Sequence, residues 1–102
     1  MVYKACQEPD FARDFGLKDQ IQRAAVSIMA NIAEGFERKG DKEFIYFLRI
    51  ARGSCAEVQS HLYVALDVGL IDQDRFDCLQ EAASTTGRKI SGFLRYLGAS
   101  NN

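Results

Sequence analysis

His61 is the single histidine of the chain, and Glu57 stands four residues before it, so the two share one face of any helix that holds them. A carboxylate and an imidazole one turn apart are the parts of a metal half-site or an acid–base pair. A carboxylate-bridged two-metal centre, however, draws such ligands from several helices. Ser54 and Cys55 are nucleophile types nearby, but spacing alone joins neither to His61 as its base. No glycine-rich phosphate loop follows a strand pattern. These residues therefore indicate no catalytic site, no metal and no cofactor, and the chain reads as non-enzymatic.

A second set is polar without being catalytic. Arg23, Ser27, Asn31 and Glu34 recur at spacings of four, four and three beside an apolar stripe made of Ile21, Ala25, Ile28 and Ile32, widened by Ala24, Met29 and Phe36. Such a line is either a solvated face in register or a satisfied seam against the next helix. If the chain reverses near residue 38, facing residues have numbers summing to about 77 to 80. That register brings Arg23 near Glu57, carries Asn31 toward Tyr46 or Arg49, and leaves Glu34 to Lys42 or Arg49. A partly buried Arg23–Glu57 pair would fix register more than it would add stability.

The third set is basic. The net charge is −1 over 102 residues, which excludes a surface that is cationic throughout, so any contact with nucleic acid must be local. Arg38, Lys39, Lys42, Arg49, Arg52, Arg88, Lys89 and Arg95 fall in one half of an antiparallel bundle, against the carboxylates Glu34, Glu37, Asp41 and Glu43. The other end carries Asp67, Asp72, Asp74, Asp77 and Glu81, with Arg75. Copies arranged in parallel would multiply this asymmetry into a basic face able to hold phosphates. The alternative is that helix ends and loops simply collect charge.

The elements that must position these residues are helices. Met1 to Gln7 is helix-compatible but short, and Glu8-Pro9-Asp10 stops it, leaving a stub or a longer helix without its beginning. A helix from Leu17 to Glu34 or Phe36 follows, punctuated by Gly35 and Gly40. Asp41 caps the next, from Lys42 to Val68, where Phe44, Leu48, Ala51, Cys55, Val58, Leu62 and Ala65 repeat the seam of a left-handed bundle. Phe47, Ile50, Val64 and Val68 flank that seam on one side, and Ile45 and Tyr63 on the other. A helix apolar most of the way round is buried most of the way round, so these six are expected to meet another subunit.

Gly69 ends this helix and Asp72 caps the last one. The last helix repeats the heptad rule through Phe76, Leu79, Ala83, Thr86, Ile90, Phe93 and Leu97. The weak helix formers Ser84 to Gly87 predict a slight bend or a close helix contact, and the tail from Gly98 is expected to fray. The fold class is all-α: one domain, residues 1–102, an antiparallel up-down four-helix bundle with a short or truncated first helix. Cys6, Cys55 and Cys78 are odd in number and lack C-x-x-C spacing, which suits reduced thiols in the cytoplasm. No uncharged run approaches a membrane span, and no charged-then-apolar leader opens the chain.

Arg23-Ala24-Ala25, Ser27-Ile28, Asn31 to Gly35, Phe47-Leu48, Ala51, Gly53-Ser54 and Glu57 together resemble the pattern of the 23S rRNA intervening-sequence protein family, also called four helix bundle proteins. The resemblance covers roughly residues 15–97. It implies an antiparallel four-helix bundle assembling into rings, typically homopentamers, with no known enzymatic activity and with nucleic-acid or partner binding suspected. Three features depart from the family pattern: the short first helix, Met29-Ala30 where proline and serine are common, and Lys18 where a serine or threonine cap is common. The sequence reading is thus a ring-forming scaffold binding RNA or DNA through its basic end. Its alternative is a protein-interaction adaptor with no direct nucleic-acid contact.

Overall fold

In a computed structural model, residues 15–99 are described, apart from the side chains of Phe15 and Lys18. They form three helices, α1 (Phe15–Glu37), α2 (Asp41–Asp67) and α3 (Gln73–Tyr96), with no strand among the described residues. The segment Met1 to Gln7 lies outside them, so the observed architecture is an all-helical bundle of three described helices. Short connections make successive helices antiparallel, and α2 is central: α1 and α3 each pack mainly against it. At about 1.5 Å per residue, the 27 residues of α2 span roughly 40 Å, most of the 44 Å long axis.

The heptad seam of α2 forms the spine of the core. Leu48, Ala51, Cys55, Val58, Leu62 and Ala65 are all buried, and Phe44 is half-buried against them. From α1 come Leu17, Ile21, Ala24 and Ile28, and from α3 come Phe76, Leu79, Ala83, Ile90 and Leu94. Two expected core residues of α1, Met29 and Phe36, are instead exposed, since α1 and α3 barely touch and no described residue covers the side between them. On α3, Leu94 rather than Phe93 is buried, and Leu97 packs on the core beyond it, as the heptad pattern expects.

The helix ends follow their local chemistry. Gly69, at φ 78°, closes α2: its amide donates to Leu66 O, and the Leu70 amide to Ala65 O, while Leu70 packs on the core. Gly98, at φ 81°, repeats this arrangement after α3, and Ala99 packs on the core, so the chain is held at least one residue beyond the point where fraying was expected. The Asp72 carboxylate accepts from the Arg75 amide at 2.7 Å, as an N-cap does. Asp41 is not a cap but the first helical residue of α2; Gly40, at φ 110°, occupies the N-cap position without a side-chain bond. Gly35 does not end α1, which continues to Glu37. The Ser84 to Gly87 stretch stays helical, with the Thr86 hydroxyl donating to Ala82 O at 3.0 Å.

Candidate nucleic-acid interface and polar seam

Two polar features sit on this frame, one between α1 and α2 and the other on the faces that α2 and α3 turn to solvent. The first centres on Ser27, whose hydroxyl oxygen accepts from Ser54 Oγ at 2.9 Å and from Asn31 Nδ2 at 3.0 Å. Asn31 also donates to the Ser27 carbonyl at 2.8 Å. Ser54 is buried, so a hydroxyl that would be costly alone is paired across the helix interface. Ser27 and Asn31 thus belong to a satisfied seam. Ser54 was missed as its partner because the pair sums to 81, one beyond the register of 77 to 80 expected from the sequence.

The ends of the predicted polar line behave otherwise. Arg23 Nε pairs with Asp19 at 2.8 Å on an exposed face, so the Arg23–Glu57 ion pair does not form. A carboxylate one turn away on the same helix is reached with less side-chain ordering than one across an interface. Glu57 and His61 instead line an open cleft of about 400 Å³ with Arg23, Gln20 and the two serines. Asn31 turns to Ser27 and not to Tyr46 or Arg49. Glu34 pairs with Arg38 at 2.6 Å, and not with Lys42 or Arg49.

The basic residues divide into two groups. Arg38, Lys39 and Lys42 lie at the end where α1 finishes and α2 begins. Arg38 is engaged there by Glu34, by Glu43 at 3.9 Å and by the Phe47 ring, 5.3 Å from its guanidinium carbon. Lys39 and Lys42 are exposed, with no ion pair among the described residues. Further along, Arg52, Arg88 and Arg95 line one groove of about 490 Å³ between α2 and α3, together with Ser84, Ser91 and Gln59. Arg49 and Lys89 are exposed outside it.

At the same end, the rings of Phe36, Phe44, Phe93 and Tyr96 follow one another at centroid distances of 5.0, 5.3 and 5.9 Å. Among the six residues expected at a subunit interface, Ile50, Tyr63, Val64 and Val68 are exposed, and the Tyr63 ring packs against Phe76 at a centroid distance of 4.9 Å, tilted by 60°. Ile45 and Phe47 are half-covered by their own chain, Ile45 by the core and Phe47 by Tyr46 and Arg38. Cys55 lies in the core, where burial pushes its thiol pKa upward. Among the described residues, no three His, Cys, Asp or Glu side chains gather as metal ligands, and no helix is long and apolar enough to cross a membrane.

An all-helical bundle with a hydrogen-bonded seam between its first two helices is the class these observations define. The sequence model of the 23S rRNA-intervening sequence protein family matches residues 1–92, and the chain belongs to that family. The fold is similar to the crystal structure of a protein of unknown function from the S23 ribosomal protein family of Bacteroides thetaiotaomicron VPI-5482. That similarity has a TM-score of 0.82 at 22% identity, covering 90% of this chain and 83% of the other. Among curated proteins none matches.

Proposed function

We propose that the protein is a non-enzymatic cytoplasmic scaffold that assembles with copies of itself and holds RNA or DNA phosphates at the basic end of its bundle. The observation that supports this most is charge placement. Exposed Lys39, Lys42, Arg49 and Arg95 sit toward one end, beside exposed Glu37, Asp41 and Glu43, with Arg88 and Lys89 near the middle, whereas exposed Asp67, Asp72, Asp74 and Asp77 sit toward the other. Electrostatic contact with phosphates needs only such a local excess, even at a net charge of −1.

Assembly is a further part of the proposal. A fourth helix would close the bundle along the groove of about 740 Å³ between α1 and α3, whose walls are small and apolar at Ala25, Val26, Ala30, Ala33 and Ala82. The outer face of α2 would then meet a neighbouring subunit in a ring, five being the number the family resemblance implies.

Fluorescence anisotropy of a labelled structured RNA and a labelled DNA duplex, each titrated at two salt concentrations, tests the reading. Binding that weakens steeply with salt, and is lost when Arg38, Lys39 and Lys42 are together replaced by Glu, is the expected result. Absence of binding at low salt overturns it. The second reading is a protein-interaction adaptor, favoured by the exposed apolar side chains Tyr46, Ile50, Val64 and Val68 on α2. An adaptor engages its partner equally well with the three charges reversed.

A further inference from the structure

Arg52 and Arg88 lie well inside their helices, so the attraction of cations to a helix C-terminus does not account for them. Arg95 alone stands in a last turn. All three line the same groove, and no carboxylate is among its lining residues. Three guanidinium groups in one recess repel one another, and a recess lined by one sign of charge concentrates the opposite ion. The floor is open because the facing residues are small: Gly87 stands opposite Cys55, where an added Cβ would lie 3.8 Å from the Cys55 Cβ. Ser84 and Ser91 add hydroxyls on the α3 wall. Ser84 also fixes the cation beside it, accepting from Arg88 Nη1 at 2.7 Å, while Thr85 Oγ1 accepts from Arg88 Nη2 at 3.2 Å. Glu81 pairs with Arg88 at 3.6 Å from outside the groove, both side chains being largely exposed, so the pair is open to water and screened by salt.

We infer that this α2–α3 groove is a phosphate-binding site, in which Arg52, Arg88 and Arg95 clasp the oxyanions of a phosphodiester strand or of a small phosphorylated ligand. The inference deepens the proposed function, and as a nucleic-acid site it rests on that reading. It moves the main contact from the Arg38–Lys42 turn to the side of the bundle, where three guanidinium groups share one recess. Guanidinium suits the role because its forked donors match two phosphate oxygens at once. A volume of about 490 Å³ falls within the range of small-ligand sites.

The test uses two probes on the full chain: a short labelled single-stranded oligouridylate followed by anisotropy, and pyrophosphate followed by calorimetry and by the arginine Nε–H resonances. The variants are Arg52→Ala/Arg88→Ala/Arg95→Ala and the matching triple Lys replacement, with thermal melts confirming that both fold. The expected result is that the alanine variant loses pyrophosphate binding and that its slope of log K against log salt for the oligonucleotide falls by about 2, whereas the lysine variant keeps most of that slope. Pyrophosphate binding without oligonucleotide binding supports the groove and assigns it to small phosphorylated ligands, against the nucleic-acid reading. Oligonucleotide binding that survives the alanine variant but is lost on reversing Arg38, Lys39 and Lys42 overturns the groove and leaves the reading standing. No binding of either probe overturns both.

Discussion

The ring of Phe44 lies so close over Gly35 that a Cβ added there would stand 2.7 Å from Phe44 Cδ1 and 3.2 Å from Phe47 Cβ. The ring has little freedom to retreat, since Phe36 and Phe93 pack against it at 5.0 and 5.3 Å. Gly35 is therefore required by contact rather than by backbone conformation: it lies inside α1 and has no positive φ. Gly35→Ala is expected to destabilise the protein by about 1–2 kcal/mol, the overpacking cost outweighing the gain in helix propensity. Denaturant melts measure it, and in a Phe44→Leu background the penalty should shrink. An equal penalty in both backgrounds would show that the Phe44 ring is not the cause.

Among the described residues, Ser27 and Ser54 form the one side-chain hydrogen bond across the α1–α2 seam, and Asn31 supports the same acceptor. Ser27→Ala strands the buried Ser54 hydroxyl and should cost about 1–2 kcal/mol; Ser54→Ala leaves Ser27 with Asn31 and should cost about 1 kcal/mol. The double replacement is expected to cost less than the two singles together, because no buried hydroxyl is then left unpaired. Additive losses in urea melts would mean that the serines do not act as a pair.

How far the sequence spoke depends on which physics each feature obeys. The α2 seam was legible because burial on a helix follows a period, and Gly69 and Asp72 because caps depend on local residue types. Leu94 rather than Phe93 is buried because 18 residues make five turns of a 3.6-residue helix, which returns Leu94 to the face of Phe76 and leaves Phe93 one residue off it. Met29 and Phe36 fit the apolar stripe of α1, but exposure is decided by which neighbours exist, and periodicity does not report that. The register between α1 and α2 was nearly right, yet the Arg23 partner was not, since a local carboxylate competed. The Arg52–Arg88–Arg95 groove was the least legible: eight cations were named, but which three share a recess depends on the facing of two helices distant in sequence.

Cys55 and Cys78 should differ sharply toward a thiol reagent. Burial disfavours the Cys55 thiolate and also blocks access, whereas Cys78 is exposed on α3. In a Cys6→Ser background, one thiol is expected to react quickly in native buffer and the second only as fast as the protein opens. The raised pKa has a stability consequence whose sign is fixed. Above the ordinary thiol pKa the unfolded chain loses this proton while the folded chain keeps it. The contribution is therefore complete at neutral pH and falls away as pH rises through the thiol range. Cys55→Ala should flatten that alkaline loss, measured by urea melts across pH.

The Asp72 side chain caps α3, accepting from the Arg75 amide. Asp72→Ala is expected to cost about 1 kcal/mol, and Asp72→Asn much less, because the amide oxygen still caps. The Asn variant also removes a negative charge near the positive end of the helix dipole, so whatever loss it shows should diminish with added salt. Equal losses for Ala and Asn would assign the effect to charge alone.

The outer face of α2 gives the sharpest test of assembly. Tyr46, Ile50, Val64 and Val68 recur on one helical face and are exposed in the single chain, with Gly53 on the same face and nothing within 4 Å of a Cβ placed there. In an isolated chain, Gly53→Ala should stabilise by about 0.5–1 kcal/mol, because an interior helical glycine carries an entropic cost that alanine lacks. If the face packs against a second copy, the same methyl group enters an interface, and alanine should weaken assembly or add nothing. Ile50→Glu/Val64→Glu would then convert the assembled species to monomers while leaving helix content unchanged. Light scattering and circular dichroism on the wild type and these two variants read both quantities. A wild type that is monomeric throughout, with Gly53→Ala stabilising it as a bare helix predicts, would remove self-assembly from the proposed function and leave this apolar face to a different protein partner.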